Sequence, residues 1–208
     1  MHDVLNTYPE YEGRLLTDDA MIVFTADHGE ELGTAPDGWV GHSIRLSQKM
    51  IRVPLMIKMP GQKQGRRVLT PVSLVDLMPT LAKAVGMPIP AGVQGRPIEI
   101  GNEQASARPV FAETRREASL DMVVSGRWKL VYDREKQEHR LFDVVAAPSA
   151  HDDVSEEHPE VVAALEGERA RWNAAQEEAS PKREAEDHRA PIFSEEEEVQ
   201  LRELGYVR

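Results

Sequence analysis

Cysteine is absent from this 208-residue chain. That excludes a disulfide framework, a thiolate nucleophile and sulfur ligands for a metal. Aromatic residues make up only 5%, so aliphatic and methionine side chains must fill most of any core. No apolar run approaches the ~20 residues that span a bilayer, and residues 1–12 lack the apolar centre of a signal peptide. Basic charge is scarce as well. Lys and Arg number 25 against 36 Asp and Glu, a net charge of −11, which argues against nonspecific nucleic-acid binding. The excess is local: residues 151–208 hold 17 acidic and 7 basic side chains, leaving the first 150 near neutrality.

What the chain does have is concentrated in residues 21–33, MIVFTADHGEELG. An apolar run without alternation, as in a strand covered on both faces, stops at Asp27 and His28. Gly29 and Gly33 then punctuate a loop that runs to residue 43. In an open parallel sheet, ligands bind beyond the carboxyl ends of strands. A carboxylate and an imidazole at such an exit can aim at one point, and together they suit a divalent cation. Taken alone, a DH pair is more often a capped turn.

The remaining elements follow from spacing. Residues 44–51 predict a short helix and 53–59, VPLMIKM, a second apolar strand ended by Pro60-Gly61. A basic loop over 62–67 and a short strand at 68–69 come next. Apolar positions 74, 77, 78, 81 and 85 predict an amphipathic helix, with Asp76 as N-cap, Pro79 in its first turn and Gly86 as left-handed C-cap. Strand candidates at 109–113, 121–125, 128–132 and 140–142, with Ser125-Gly126-Arg127 as a hairpin, predict an antiparallel sheet distinct from the parallel part before residue 100. A helix over 155–178 presents Val161, Ala164, Leu165 and Trp172; a charged linker and a short terminal helix from 195 complete the chain.

The segments FTADHGEELG, GHS at 41–43, IRVPLMIKMPG, VSLVDLMPTLAKAVGMPIP, VQGRPI, RWKLVYD, HRLFDV and LRELGYV, in that order, resemble the sulfatase branch of the alkaline phosphatase superfamily. The resemblance runs from about residue 16 to the end. It implies an α/β fold: residues 1–105 as the C-terminal part of the three-layer sulfatase catalytic domain, 106–178 as a small antiparallel sheet with a helix, and 179–208 as a charged linker with a short terminal helix.

The resemblance also implies a metal-dependent hydrolase of sulfate esters, with Asp27 and His28 as ligands of one divalent cation. Calcium is the first choice, with manganese or zinc as alternatives because His28 offers nitrogen. His42, fourteen positions after His28, falls where relatives carry a Lys or His, implying contact with the sulfate and proton donation to the leaving group. Glu30 and Glu31 read as solvated or loop-capping. Arg52, Arg66 and Arg67 read as structural or solvated, Arg115 and Arg116 as residues after a strand end, and His139, His151, His158 and His188 as lacking ligand spacing.

The family's nucleophile motif, Cys or Ser followed by x-Pro-x-Arg, occurs nowhere in the chain. The expectation is therefore a C-terminal fragment without turnover by itself, poorly soluble unless a polypeptide supplying the first half covers its apolar strands. The substrate implied is a sulfate-ester, or phosphate-ester, small molecule or glycan. Two competing readings are a non-catalytic binding module derived from a sulfatase, and phosphodiester or phosphonate hydrolysis or phosphoethanolamine transfer on the same scaffold. The parent family is often periplasmic or secreted; nothing in this chain fixes a location.

Overall fold

Among the described residues, most of the buried hydrophobic side chains lie on three consecutive strands: Leu120, Met122, Val123, Val124, Leu130, Val131, Leu141 and Phe142. These strands belong to a four-stranded antiparallel meander of β5 (Val110–Thr114), β6 (Leu120–Ser125), β7 (Trp128–Asp133) and β8 (Glu138–Asp143). The computed structural model describes residues 16–33, 37–42, 45–102, 108–115, 118–146, 152–179 and 194–203. The expectations placed on residues 1–13, the linker after 179, Ser43, Arg116, His151, His188 and Leu204 lie outside them.

Alternation along the pleat sorts this sheet into two faces. Leu120, Met122, Val124, Val131 and Phe142 form one cluster, joined by Leu46 and Ile51 from far earlier in the chain. Val123, Leu130 and Leu141 face the other way, onto Leu165 of the long helix Pro159–Ala179. Each such buried side chain contributes roughly 1.5–3 kcal/mol. Phe111 and Trp172 stack with ring centroids 5.1 Å apart and planes 2° from parallel, which pins the far end of the helix. That helix begins at Pro159, four residues later than the spacing predicts; residues 155–157 form a turn instead.

A charged hub locks the same interface. Asp121, wholly buried, accepts hydrogen bonds from Arg115 (2.6 Å), Arg134 (2.9 and 3.0 Å), Arg169 (2.6 Å) and Asn173 (3.1 Å). Burial pushes its pKa up, but the Arg134, Arg115, Asn173 and Arg169 hydrogen bonds outweigh that and bring it down to about 2. Arg115 thus serves the sheet rather than a pocket.

The first part of the chain is built differently from the parallel arrangement the strand pattern predicts. β1 (Ile22–Thr25) pairs antiparallel with β4 (Leu55–Lys58), Ile22 opposite Lys58 and Thr25 opposite Leu55. The chain between them doubles back through a loop and one short helix, so the returning strand runs the other way. Coverage on both faces also fails: Phe24 and Met56, register partners, are 41% and 55% exposed. Residues 68–69 form no strand, and Leu69 is 80% exposed.

The helix predicted over 74–85 is present as a 3-10 turn, Leu74–Asp76, continuing into an α-helix, Leu77–Ala84. Gly86, at φ +70, ends it as expected: Met87 N–H donates to Ala82 O (2.8 Å) and Gly86 N–H to Lys83 O (3.3 Å), the Schellman pairing. Its inward face is a surprise. Met78 and Val85 are exposed, whereas Asp76, Pro79 and Thr80 are buried. Asp76 occupies the N-cap position of the α-helix as expected but makes no side-chain capping bond there; its carboxylate accepts from the backbone of Ser73 and Arg96 and from the Arg108 guanidinium. At the other end of the chain, Ser194 and Glu197 exchange hydrogen bonds (2.8 and 3.3 Å) at the start of the helix Glu195–Glu203, a capping box.

Candidate active site

β1 delivers Ala26, Asp27 and His28 into the open, and the next residue explains why the turn has one shape. Gly29 N–H donates to Met50 O at 2.8 Å, and a Cβ on Gly29 would sit 1.7 Å from Lys49 O. Only glycine permits that approach. Met50 lies on the short helix Gln48–Ile51, whose N-cap Ser47 accepts from Met50 N–H at 3.3 Å. Leu46, one residue earlier, is buried in the meander's core, so the exit of β1 is fixed indirectly to the distant sheet.

Asp27 is exposed and His28 half-buried. Asp27 Oδ1 accepts the His28 backbone N–H at 3.0 Å. This bond is the main cause of a carboxyl pKa held below the usual range. His28 Nδ1 lies 2.8 Å from Gly29 O, so that nitrogen carries the proton and Nε2 keeps its lone pair. Nε2 stands 3.8 Å from Asp27 Oδ2, a separation that a single divalent ion spans at ordinary bond lengths of roughly 2.0–2.4 Å.

His42 reaches the same place through a small ladder, β2 (Glu31–Leu32) antiparallel to β3 (Val40–Gly41). The His28 and His42 ring centroids are 4.8 Å apart. His42 Nδ1 is 3.3 Å from Glu30 Oε2, and donor atoms of His28, Glu30 and His42 all lie within 4.8 Å of one another. The hairpin is fastened from outside by the Arg45–Asp37 ion pair, with Arg45 also over the Trp39 ring at 5.3 Å.

Glu31 points the opposite way from Glu30 and is 1% exposed. Its Oε2 makes no hydrogen bond and stands 3.5 Å from Lys49 Nζ, an ion-pair contact only. Lys129 of β7 approaches this region from below: its buried Nζ donates to Leu46 O at 3.1 Å. A cleft of about 1070 Å³ opens beside these groups, with Asp27, His28 and His42 at its polar margin and Leu55, Ile57, Ile98 and Met122 among its apolar walls.

Asp27 and His28 offer one oxygen and one nitrogen, while the cluster of three donors within 4.8 Å of one another is His28, Glu30 and His42, without Asp27. That donor set fits a divalent ion in part, short of the six or more oxygens calcium takes. The three residues singled out in the sequence, Asp27, His28 and His42, are thus brought to one point. Glu30 and Glu31 are a different matter. The sequence reading left both as solvated or loop-capping groups, whereas Glu30 pairs with His42 and Glu31 is buried. Their adjacency at the entry to a two-residue strand was the signal available, since neighbours along extended chain face opposite sides. His139, read as lacking ligand spacing, pairs instead with Glu166 at 3.0 Å.

Residues 14–87 match the family model described as Sulfatase. Choline-sulfatase of Rhizobium meliloti is 37% identical over 64% of this chain and 26% of its own length. Arylsulfatase K of Mus musculus is 28% identical over 73% of this chain and 30% of its own. Among solved structures, the phosphonate monoester hydrolase SpPMH of Silicibacter pomeroyi aligns with a TM-score of 0.64 at 27% identity, over 76% of this chain and 35% of that one. The 2-O GAG sulfatase BT1596 aligns at 0.59 and 25%, over 76% and 36%. The chain therefore spans about three tenths of the length of the curated relatives it matches. A strand that opens into Asp-His-Gly, the α/β fold around it and these matches have one common account: residues 14–87 belong to the sulfatase family, and the chain is similar to part of such proteins.

Proposed function

We propose that this chain carries the cation-loop half of a metal-dependent sulfate-ester hydrolase. The observation that carries the reading is the 3.8 Å approach of Asp27 Oδ2 to His28 Nε2, with the His42 ring beside them. Asp27 and His28 hold the cation, which when bound offsets the negative charge that develops on the ester oxygens. His42 contacts the sulfuryl oxygens and passes a proton to the departing alkoxide. The nucleophile comes from polypeptide beyond these 208 residues, because no Cys or Ser stands in an x-Pro-x-Arg context here. The exposed Phe24–Met56 face supports a polypeptide partner that covers it. Relatives named for choline sulfate and for sulfated glycans favour a small sulfated molecule or glycan as substrate.

Phosphonate or phosphate monoester hydrolysis is the second reading. The 0.64 TM-score with a phosphonate monoester hydrolase favours it, as does the nitrogen donor of His28, which leans toward manganese or zinc over calcium. The test has two arms. Titration of the full chain with Ca²⁺, Mn²⁺ and Zn²⁺ should show one site whose affinity falls at least tenfold in Asp27→Asn and in His28→Ala. Co-expression with a first half bearing the nucleophile motif should then give turnover of an aryl sulfate in preference to an aryl phosphonate. Equal cation binding by both variants would remove the site from the account, and a preference for the phosphonate would select the second reading.

A further inference from the structure

His42 Nδ1 faces the Glu30 carboxylate at 3.3 Å, beside the pair of Asp27 and His28. We infer that Glu30 is the positioning residue of His42: its carboxylate accepts the Nδ1–H hydrogen bond and fixes the ring. The inference rests on the reading of His42 as the group that meets the ester.

Three features of the fold carry it. First, the pairing is built into the β2–β3 ladder. Glu31 is opposite Gly41 and Leu32 opposite Val40, so the residue just before β2 and the residue just after β3 emerge side by side, and these are Glu30 and His42. Second, the alternation of the strand commits Glu31 inward, 1% exposed against Lys49. That leaves Glu30 facing outward at the rim where His42 stands. Third, the two imidazoles of the site are oriented by different acceptors. His28 Nδ1 is held by the carbonyl of Gly29 at 2.8 Å; His42 Nδ1 is held by a carboxylate. Each arrangement fixes the proton on Nδ1 and the orientation of the ring. The His42 side chain is 17% exposed and Glu30 41%, so the ring is sheltered while its partner stays hydrated.

The side-chain NMR of the full chain, labelled with ¹⁵N, tests this at a pH where the rings are neutral. In the unsubstituted protein His42 should populate the Nδ1–H tautomer. Glu30→Ala should shift the His42 tautomer ratio toward Nε2–H by about tenfold, the size expected from loss of one hydrogen bond to a charged acceptor at a partly exposed site. Glu30→Gln, whose amide oxygen still accepts, should restore most of it. His28 should keep its tautomer in both variants, which separates a local effect from general loosening of the loop. A His42 ring that favours Nε2–H in the unsubstituted protein, or is unmoved by Glu30→Ala, overturns the inference.

A metal arm distinguishes the alternatives. Mn²⁺ should broaden the His28 resonances in the parent and Glu30→Ala proteins alike, at the same concentration within twofold. A tenfold loss of Mn²⁺ affinity in both Glu30→Ala and His42→Ala would make the pair ligands instead, and would also overturn the inference. Absence of any Mn²⁺ effect on His28, with the tautomer shift intact, would refute the cation reading while leaving the Glu30–His42 pairing in place.

Discussion

Lys129 Nζ donates to the carbonyl oxygen of Leu46 at 3.1 Å, from a position in the meander where the residue is only 4% exposed. The bond joins residues 83 apart in sequence and ties the sheet to the segment that leads into the Gln48–Ile51 helix. Burial pushes the Lys129 ammonium down to about 8, and the nearby Arg140 adds to that.

The sign of the pH effect follows. Below about pH 8 the folded and unfolded lysines are both charged, and the folded chain bears the whole cost of burying that charge. Between about 8 and 10.5 the unfolded lysine stays protonated while the folded one does not, so stability rises with pH. The full span corresponds to about 3 kcal/mol. Urea midpoints of the parent and Lys129→Met, compared from pH 7 to 10, should show the parent gaining on the variant across that window. Parallel curves would refute the buried-charge assignment.

Asp121 follows the same sign in a lower window and from a different cause. Its folded pKa of about 2 lies below the unfolded value, so its contribution is present above about pH 4 and disappears as pH falls through 2. Asp121→Asn leaves Arg115, Arg134 and Arg169 facing a neutral group, and should cost about 3–5 kcal/mol in denaturant unfolding at pH 7. Glu113 and Glu166 each retain one of those arginines, so a cost below about 1 kcal/mol would mean that they suffice.

Gly29→Ala should weaken Mn²⁺ binding at least tenfold, because a Cβ 1.7 Å from Lys49 O forces the Asp27–His28 turn off Met50. The meander does not contain this contact, so its melting temperature should fall by only a few degrees. Unchanged affinity would show that Asp27 and His28 need no such support.

How much of this was legible beforehand varies with range. Local signals were reliable: Gly86 at a helix end, Gly126 in a two-residue hairpin turn, and the clustered apolar strands from 110 to 143 all announce themselves within a few residues. The direction of β4 was not, since a strand of four residues carries no mark of which way its neighbour runs. Nor was the inward face of the Leu77–Ala84 helix. Asp76 and Thr80 are buried because Arg96 N–H and Ile98 N–H, some twenty residues away, need acceptors; apolar periodicity is blind to such a demand. At the site, Asp27, His28 and His42 stood out by chemistry and order. Glu30 and Glu31 did not, because their surroundings are set by a two-residue ladder that Glu31 begins and Glu30 precedes.

Phe24→Glu with Met56→Lys should raise the concentration at which the chain remains monodisperse, by replacing an exposed apolar pair with an opposite-charge cross-strand pair. The same double variant should lose association with a first-half polypeptide in co-purification. Retained association would place the contact elsewhere.

The chain has three tryptophans, and the architecture distributes them usefully. Trp172 is stacked on Phe111, and Trp128 lies beside His158 with centroids 4.7 Å apart; both therefore sense the meander and its helix. Trp39 sits under Arg45 on the hairpin that carries His42. Removing the first two as phenylalanines would leave a single indole whose emission reports on the His42 hairpin alone, so that rim could be followed by light while the larger sheet stays spectroscopically silent.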